Sequence, residues 1–118
     1  MAFKILSNNR YGSKFITIDR NYRIALSAAV RKELGIYGKV GKIFIMADKE
    51  NKRLGIVRQE SARVPNANPF AVDRRGYVNA RQIIHETGWY NKDKPIRFEE
   101  DGWENFEGNK WYIFRKID

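Results

Sequence analysis

The chain of 118 residues contains no cysteine and a single histidine, His85. Without cysteine there is no disulfide framework, no thiolate metal site and no cysteine nucleophile. No apolar run approaches the roughly 18 residues that a membrane span requires, and the start of the chain lacks the long apolar stretch of a signal peptide. These absences predict a soluble intracellular protein without a membrane partner.

Sequence motifs of catalysis are lacking as well. The chain has no glycine-rich phosphate loop, no nucleophile elbow and no zinc motif. Five acidic residues crowd segment 98–108, but they lack the spacing of a calcium loop. This favours a solvated hairpin tip over a divalent-cation site. We therefore predict that the protein is not an enzyme, with no cofactor, no metal and no catalytic residues.

Positive charge is abundant and unevenly distributed. The formal net charge is +9, and residues 1–45 carry nine Lys or Arg against only Asp19 and Glu33. Such an excess on a small domain favours polyanionic partners, nucleic acid first, although a merely soluble basic protein is the alternative.

The local patterns predict short strands and two short helices. Ser27 suits the N-cap of a helix over 28–34 that stops at Gly35. Asn79 suits the N-cap of a helix over 80–87, with Gln82 in the capping-box position and Gly88 as the stop. Predicted strands cover 3–6, 15–18, 42–46, 53–57, 95–98 and 110–114. Predicted turns cover 8–13 and Asp19–Asn21, where Asn21 tolerates a positive φ.

The chain repeats one pattern. Segment Phe15–Ile24 is echoed by Phe70–Val78, and in both an Asp-Arg turn joins two β-rich runs before a helix and a hairpin. A unit this small cannot bury its own apolar face, so two copies would share one core. The pattern predicts a first half at 1–60, a linker at 61–69 and a degenerate second half at 70–118, forming one compact domain.

These residues resemble the AbrB/MraZ/SpoVT family of swapped-hairpin transcription factors. Asp19 and Arg23 fit its Asp-x-x-x-Arg motif, and Ser27 stands where the family usually has proline. The second half keeps Asp73, Gly76, Val78 and Gly88, but Tyr77 replaces the motif arginine. The resemblance implies a mainly β fold with short helices, in which two tandem half-repeats interleave as a pseudo-symmetric β-barrel. It also implies a cytoplasmic, nucleoid-associated regulator that binds double-stranded DNA.

The family's DNA-binding surface maps to basic residues around the two turns. The predicted DNA contacts are Lys14, Arg20, Arg23, Arg31, Lys32, Arg74, Arg75 and Arg81. The turn arginines would approach the groove, and Lys14, Arg31, Lys32 and Arg81 would hold phosphates. Alternatively, Arg23 braces its turn against Asp19, and Arg31 and Lys32 are an ordinary solvated helix face. Tyr77 leaves the second half either a scaffold or a stacking surface.

A second function on the same fold is protein interaction. Trp103 and Phe106 lie within the acidic segment and either pack back on the core or contact a partner. The partner would be a host or cognate protein, as for an antitoxin or a viral factor. A homo-oligomer is a further possibility that the resemblance implies.

Overall fold

The computed structural model describes residues 2–6 and 12–117. The elements up to residue 61 are β1 (Phe15–Ile18), β2 (Arg23–Leu26), α1 (Ala28–Glu33), β3 (Gly41–Asp48), β4 (Arg53–Arg58) and a single 3-10 turn (Gln59–Ser61). Those that follow are β5 (Phe70–Val72), β6 (Tyr77–Asn79), α2 (Arg81–Thr87), β7 (Ile96–Phe106) and β8 (Asn109–Lys116). From residue 15 onward this is the predicted order of elements. In the described part of the chain, neither helix is long and apolar enough to cross a membrane.

All eight strands belong to one antiparallel sheet. The strand order is β5-β3-β4-β8-β7-β1-β2-β6. The two edge strands, β5 and β6, are consecutive in the chain and meet at the turn after Val72, where the N–H of Asp73 donates to the carbonyl of Tyr77 (3.0 Å). The sheet is therefore a nearly closed barrel, and the predicted mainly β fold with short helices is confirmed.

The barrel encloses the main core. Residues alternate along β1 and β2, so that Ile16, Ile18, Ile24 and Leu26 point inward. The largest fully buried side chains are Tyr112, Phe98 and Phe114, and the helices add Val30, Leu34 and Ile83. A smaller cluster of Phe44, Val57, Trp111 and Ile113 lies beside it, partly covered by Ala62 and Val64 of the predicted linker.

The start of α1 agrees with the prediction from the sequence, and the start of α2 does not. Ser27 caps α1 as predicted, because its hydroxyl oxygen accepts a hydrogen bond from the N–H of Val30 (3.3 Å). The expected cap at Asn79 is wrong: Ala80 precedes α2, and the Asn79 side chain accepts from the N–H of Arg81 (3.0 Å). Gln82 donates to Glu86 (3.1 Å) and forms no capping box.

Residues 3–6 do not form the predicted strand. They are fully exposed and have no strand partner among residues 2–6 and 12–117. A β-prone composition is not sufficient, because a strand needs a neighbour to accept its backbone hydrogen bonds. The turn predicted at 8–13 falls mostly outside the described residues.

The acidic segment is a strand and not the predicted turn. β7 continues to Phe106, and the turn is the two residues 107 and 108. Neighbouring arginines neutralise three of its five carboxylates: Arg97 lies 3.1 Å from Glu99, Arg115 lies 3.0 Å from Asp101, and Arg53 pairs with Glu104. Pairs of opposite charge between strands, such as Arg115 with Asp101, favour an extended chain over an isolated acidic loop.

Candidate nucleic-acid interface

The first turn is built by the carboxylate of Asp19. Its Oδ1 accepts hydrogen bonds from the N–H groups of Asn21 (2.9 Å) and Arg23 (3.0 Å). The N–H of Asp19 donates to the carbonyl of Arg23 (2.8 Å), which closes the turn between β1 and β2. A short acidic side chain is suited to this role because it reaches its own downstream backbone.

The second turn repeats these bonds at Asp73. Its Oδ1 accepts from the N–H groups of Arg75 (2.9 Å) and Tyr77 (3.0 Å). The bond from Tyr77, followed by that from Arg75, holds the pKa of Asp73 below its usual value. This carboxylate therefore stays ionised at neutral pH and keeps the turn in place.

The two turns differ at the residue with left-handed backbone. In the first turn it is Tyr22 (φ 60°), not Asn21 as the sequence suggested, and in the second it is Gly76 (φ 86°). A side chain in this conformation costs roughly 1–2 kcal/mol. Tyr22 has a compensating contact, because its ring stacks on that of Tyr90 with centroids 4.8 Å apart. The Tyr90 hydroxyl donates to the carbonyl of Arg20 (2.9 Å), which ties this stack to the turn.

A short ladder between β2 and β6 joins the two turns. Ile24 lies opposite Val78 at its centre. At one end the N–H of Leu26 donates to the carbonyl of Gly76, and at the other the N–H of Ala80 donates to the carbonyl of Tyr22, both at 2.9 Å. The turns therefore lie at opposite ends of one ladder.

Three of the predicted DNA contacts converge on tyrosine rings along this ladder. The guanidinium of Arg23 lies 4.0 Å from the centre of the Tyr77 ring, and that of Arg75 lies 5.0 Å from the same ring. The guanidinium of Arg81 lies 4.8 Å from the Tyr22 ring. Cation–π contacts of this kind hold arginines in position while leaving donors available.

Arg23 also makes the ion pair that the sequence suggested. Its Nε lies 2.9 Å from Oδ2 of Asp19. The bracing role is thus present, and the contact with Tyr77 places the same side chain beside the second turn. Tyr77, which replaces the motif arginine in the second turn, therefore supports Arg23 of the first turn with its ring.

Arg20 and Arg74 are the most available cations of the turns. Both are exposed, and neither side chain makes a hydrogen bond, ion pair or ring contact within the described part of the chain. Arg75 is also exposed and lies 3.4 Å from Asp73.

Of the remaining predicted contacts, Lys14 lies apart from these arginines, whereas Arg31 reaches the second turn. Lys14 lies just before β1, at the far end from the first turn, with its Nζ 3.5 Å from Glu33 and 3.7 Å from Glu100. Arg31 packs against Gly76 and lies 5.2 Å from the Tyr37 ring, and Lys32 is exposed in the last turn of α1. The structure thus brings the turn arginines and Arg81 together and leaves Lys14 outside the group.

Trp103 and Phe106 have different surroundings. The Trp103 ring stacks on that of Tyr112 (4.4 Å between centroids), so it packs back on the barrel. Phe106 is half exposed beside an apolar cavity of about 310 Å³.

Burial, with a hydrogen bond to Glu100, raises the pKa of Tyr112 far above its usual value.

The described residues hold no group of three or more histidine, aspartate or glutamate side chains placed to bind a metal ion. No protein-family profile, curated protein or solved structure matches this chain.

Proposed function

We propose that the protein is a double-stranded DNA-binding transcriptional regulator of the AbrB/MraZ type, without catalysis or cofactor. The observation that carries the proposal is the pair of aspartate turns at the two ends of one ladder, each with a free arginine: Arg20 in the first and Arg74 in the second. Guanidinium groups bind phosphate and guanine edges through two parallel hydrogen bonds. The net charge of +9 adds a general attraction to the duplex.

The strand pairing supports a swapped-hairpin barrel made from two tandem half-repeats. The hairpin β3–β4 adds to β5, and the hairpin β7–β8 adds to β1. Each hairpin therefore pairs with the first strand of the other predicted half, which is the pairing expected of a swapped-hairpin barrel. Interleaving also removes edges that either half alone would expose.

The two turns offer unequal chemistry to a duplex. The first presents Arg20 and the ring of Tyr22, and the second presents Arg74 and Arg75 around Gly76. A target read by both turns would have two different half-sites.

We expect the double substitution Arg20→Ala/Arg74→Ala to weaken binding to the preferred duplex by about 30-fold or more, since each lost bidentate base contact costs about 1–3 kcal/mol. The preferred duplex is first selected from a random pool, and affinity is measured by fluorescence anisotropy across a salt titration. Wild-type affinity should fall steeply with salt.

Arg63→Ala/Lys110→Ala is the control for this experiment, because it also removes two positive charges. Arg63 is exposed in the predicted linker, where its backbone bonds to Asn109, and it lies on neither turn. Absent or salt-insensitive binding of the wild type, or an equal loss in the control, would contradict the proposal.

A second candidate function is protein recognition by the tip of the hairpin β7–β8. The half-exposed Phe106 beside its apolar cavity favours it. If this is correct, the wild type captures a single protein partner that stays bound after nuclease treatment. Trp103→Ala/Phe106→Ala should abolish this capture and leave DNA affinity unchanged. The opposite pattern would count against this candidate.

A further inference from the structure

A basic groove follows α1, between residues 35–42 and the ends of β4 and β5. It has a volume of about 640 Å³, and its cations Lys39, Lys42 and Arg58 outnumber the two acidic residues that line it, Glu60 and Asp73. Lys39 and Lys42 are exposed and make no ion pair within the described residues. Arg58 lies 2.6 Å from Glu60 through Nη2, but its Nε is buried without a hydrogen-bond acceptor among those residues. We call this the first groove.

A second basic groove follows α2, between residues 88–97 and the end of β8. It has a volume of about 480 Å³, and its cations are Lys94, Arg97 and Lys116. Among the residues that the structure describes, none of those that line it is acidic. Arg97 is fixed by stacking over Phe15 (3.8 Å) and by its ion pair with Glu99. We call this the second groove.

Each groove borders one of the two turns. Asp73 and Tyr77 of the second turn line the first groove. Tyr90 lines the second groove, and its hydroxyl donates to the carbonyl of Arg20 in the first turn. Because the turns lie at opposite ends of the β2–β6 ladder, the four features form one path: first groove, second turn, first turn, second groove.

We infer that the two grooves bind backbone phosphates of the same DNA duplex, on either side of the region that the turns contact. The inference rests on the proposed function and extends it to six cations that lie outside both turns. Lysine suits this task because its ammonium contacts phosphate as a point charge without reading sequence.

The test compares charge-neutralised variants of each groove with a matched control. The variants are Lys39→Gln/Lys42→Gln for the first groove and Lys94→Gln/Lys116→Gln for the second. The control is Arg63→Gln/Lys110→Gln, which removes the same charge. Both residues are exposed and line neither groove, and they lie near the tip of the hairpin β7–β8, where the backbone of Arg63 bonds to the Asn109 side chain. Circular dichroism melting verifies that each variant is folded.

Log affinity falls linearly with log salt, and we expect each groove variant to reduce the magnitude of this negative slope by about 2. Each lost phosphate contact removes about 0.9 from the magnitude. The preference between selected and unrelated duplexes should not change, because phosphates carry no sequence information. Extending the selected duplex from about 8 to about 20 base pairs should strengthen wild-type binding by adding phosphates at both ends. Each groove variant should lose about half of that gain, and the control should keep it.

The outcomes separate this inference from the function on which it rests. If the wild type binds no duplex in a salt-dependent way, the proposed function fails and the inference with it. If the wild type binds but the groove variants keep the slope and the length gain of the control, the inference alone is overturned.

Discussion

Replacing Phe98 by alanine is expected to lower the free energy of unfolding by about 3–5 kcal/mol. Phe98 is fully buried, lies opposite Ile16 in the pairing of β7 with β1, and contacts the Trp89 ring at 5.3 Å. It therefore packs where the hairpin β7–β8 joins the first strand of the barrel. Truncation leaves a cavity at this junction that the rigid sheet cannot close, so the loss includes both transfer and cavity terms.

Phe106→Ala is the matched control because it is the same substitution on the same strand. Phe106 is 50% exposed, so its removal should cost less than about 1 kcal/mol. Urea denaturation followed by tryptophan fluorescence measures both variants. Similar losses for Phe98 and Phe106 would show that β7 is not anchored to β1 through the core.

Replacing Gly76 by alanine is expected to lower the free energy of unfolding by about 2–3 kcal/mol, from backbone strain together with crowding. The positive φ of Gly76 accounts for roughly 1–2 kcal/mol of this loss. The rest is steric, because an added Cβ would lie 2.5 Å from Cδ of Arg31 and 3.1 Å from the carbonyl oxygen of Leu26. The arginine can move but the backbone oxygen cannot do so freely, so the substitution also shifts Arg31 away from the second turn.

Gly108→Ala isolates the backbone part of this effect. Gly108 has nearly the same φ (82°), but a Cβ there would meet no atom within 4 Å. It should therefore show only the backbone cost of about 1–2 kcal/mol. Thermal and urea unfolding of the two variants gives the difference. Equal destabilisation would mean that Arg31 does not pack against the second turn.

The order of elements was predictable because turns and caps leave local signals. Asp19, Asp73, Ser27 and the two helix-ending glycines each impose a backbone shape through one or two hydrogen bonds or a positive φ. The extent of β7 was not predictable in this way. Its acidic residues become compatible with a strand only through arginines from β4, β8 and β7 itself, and such partners are known only once strand order is known.

The candidate site was predictable only in part. The pairing of Asp19 with Arg23 was one of two roles that the motif left open for this arginine, and the ion pair is present. The stacking of Tyr22 on Tyr90 was not predicted. The available signal was that Tyr22 occupies the position of Gly76 in the other turn, but its partner Tyr90 is remote in sequence. The cations of the grooves come from separate loops and strand ends, so no local pattern groups them.

The pairing of β1 with β7 bears on how the chain is made in the cell. Ile16 and Phe98 are roughly 80 positions apart, and contacts between such distant residues form slowly because a long loop must close first. When the ribosome has synthesised only the first half, β1 and the hairpin β3–β4 have been made but the strands that complete their sheet have not. Closure must therefore wait until β7 and β8 emerge, so the barrel folds after synthesis of the second half rather than half by half during translation.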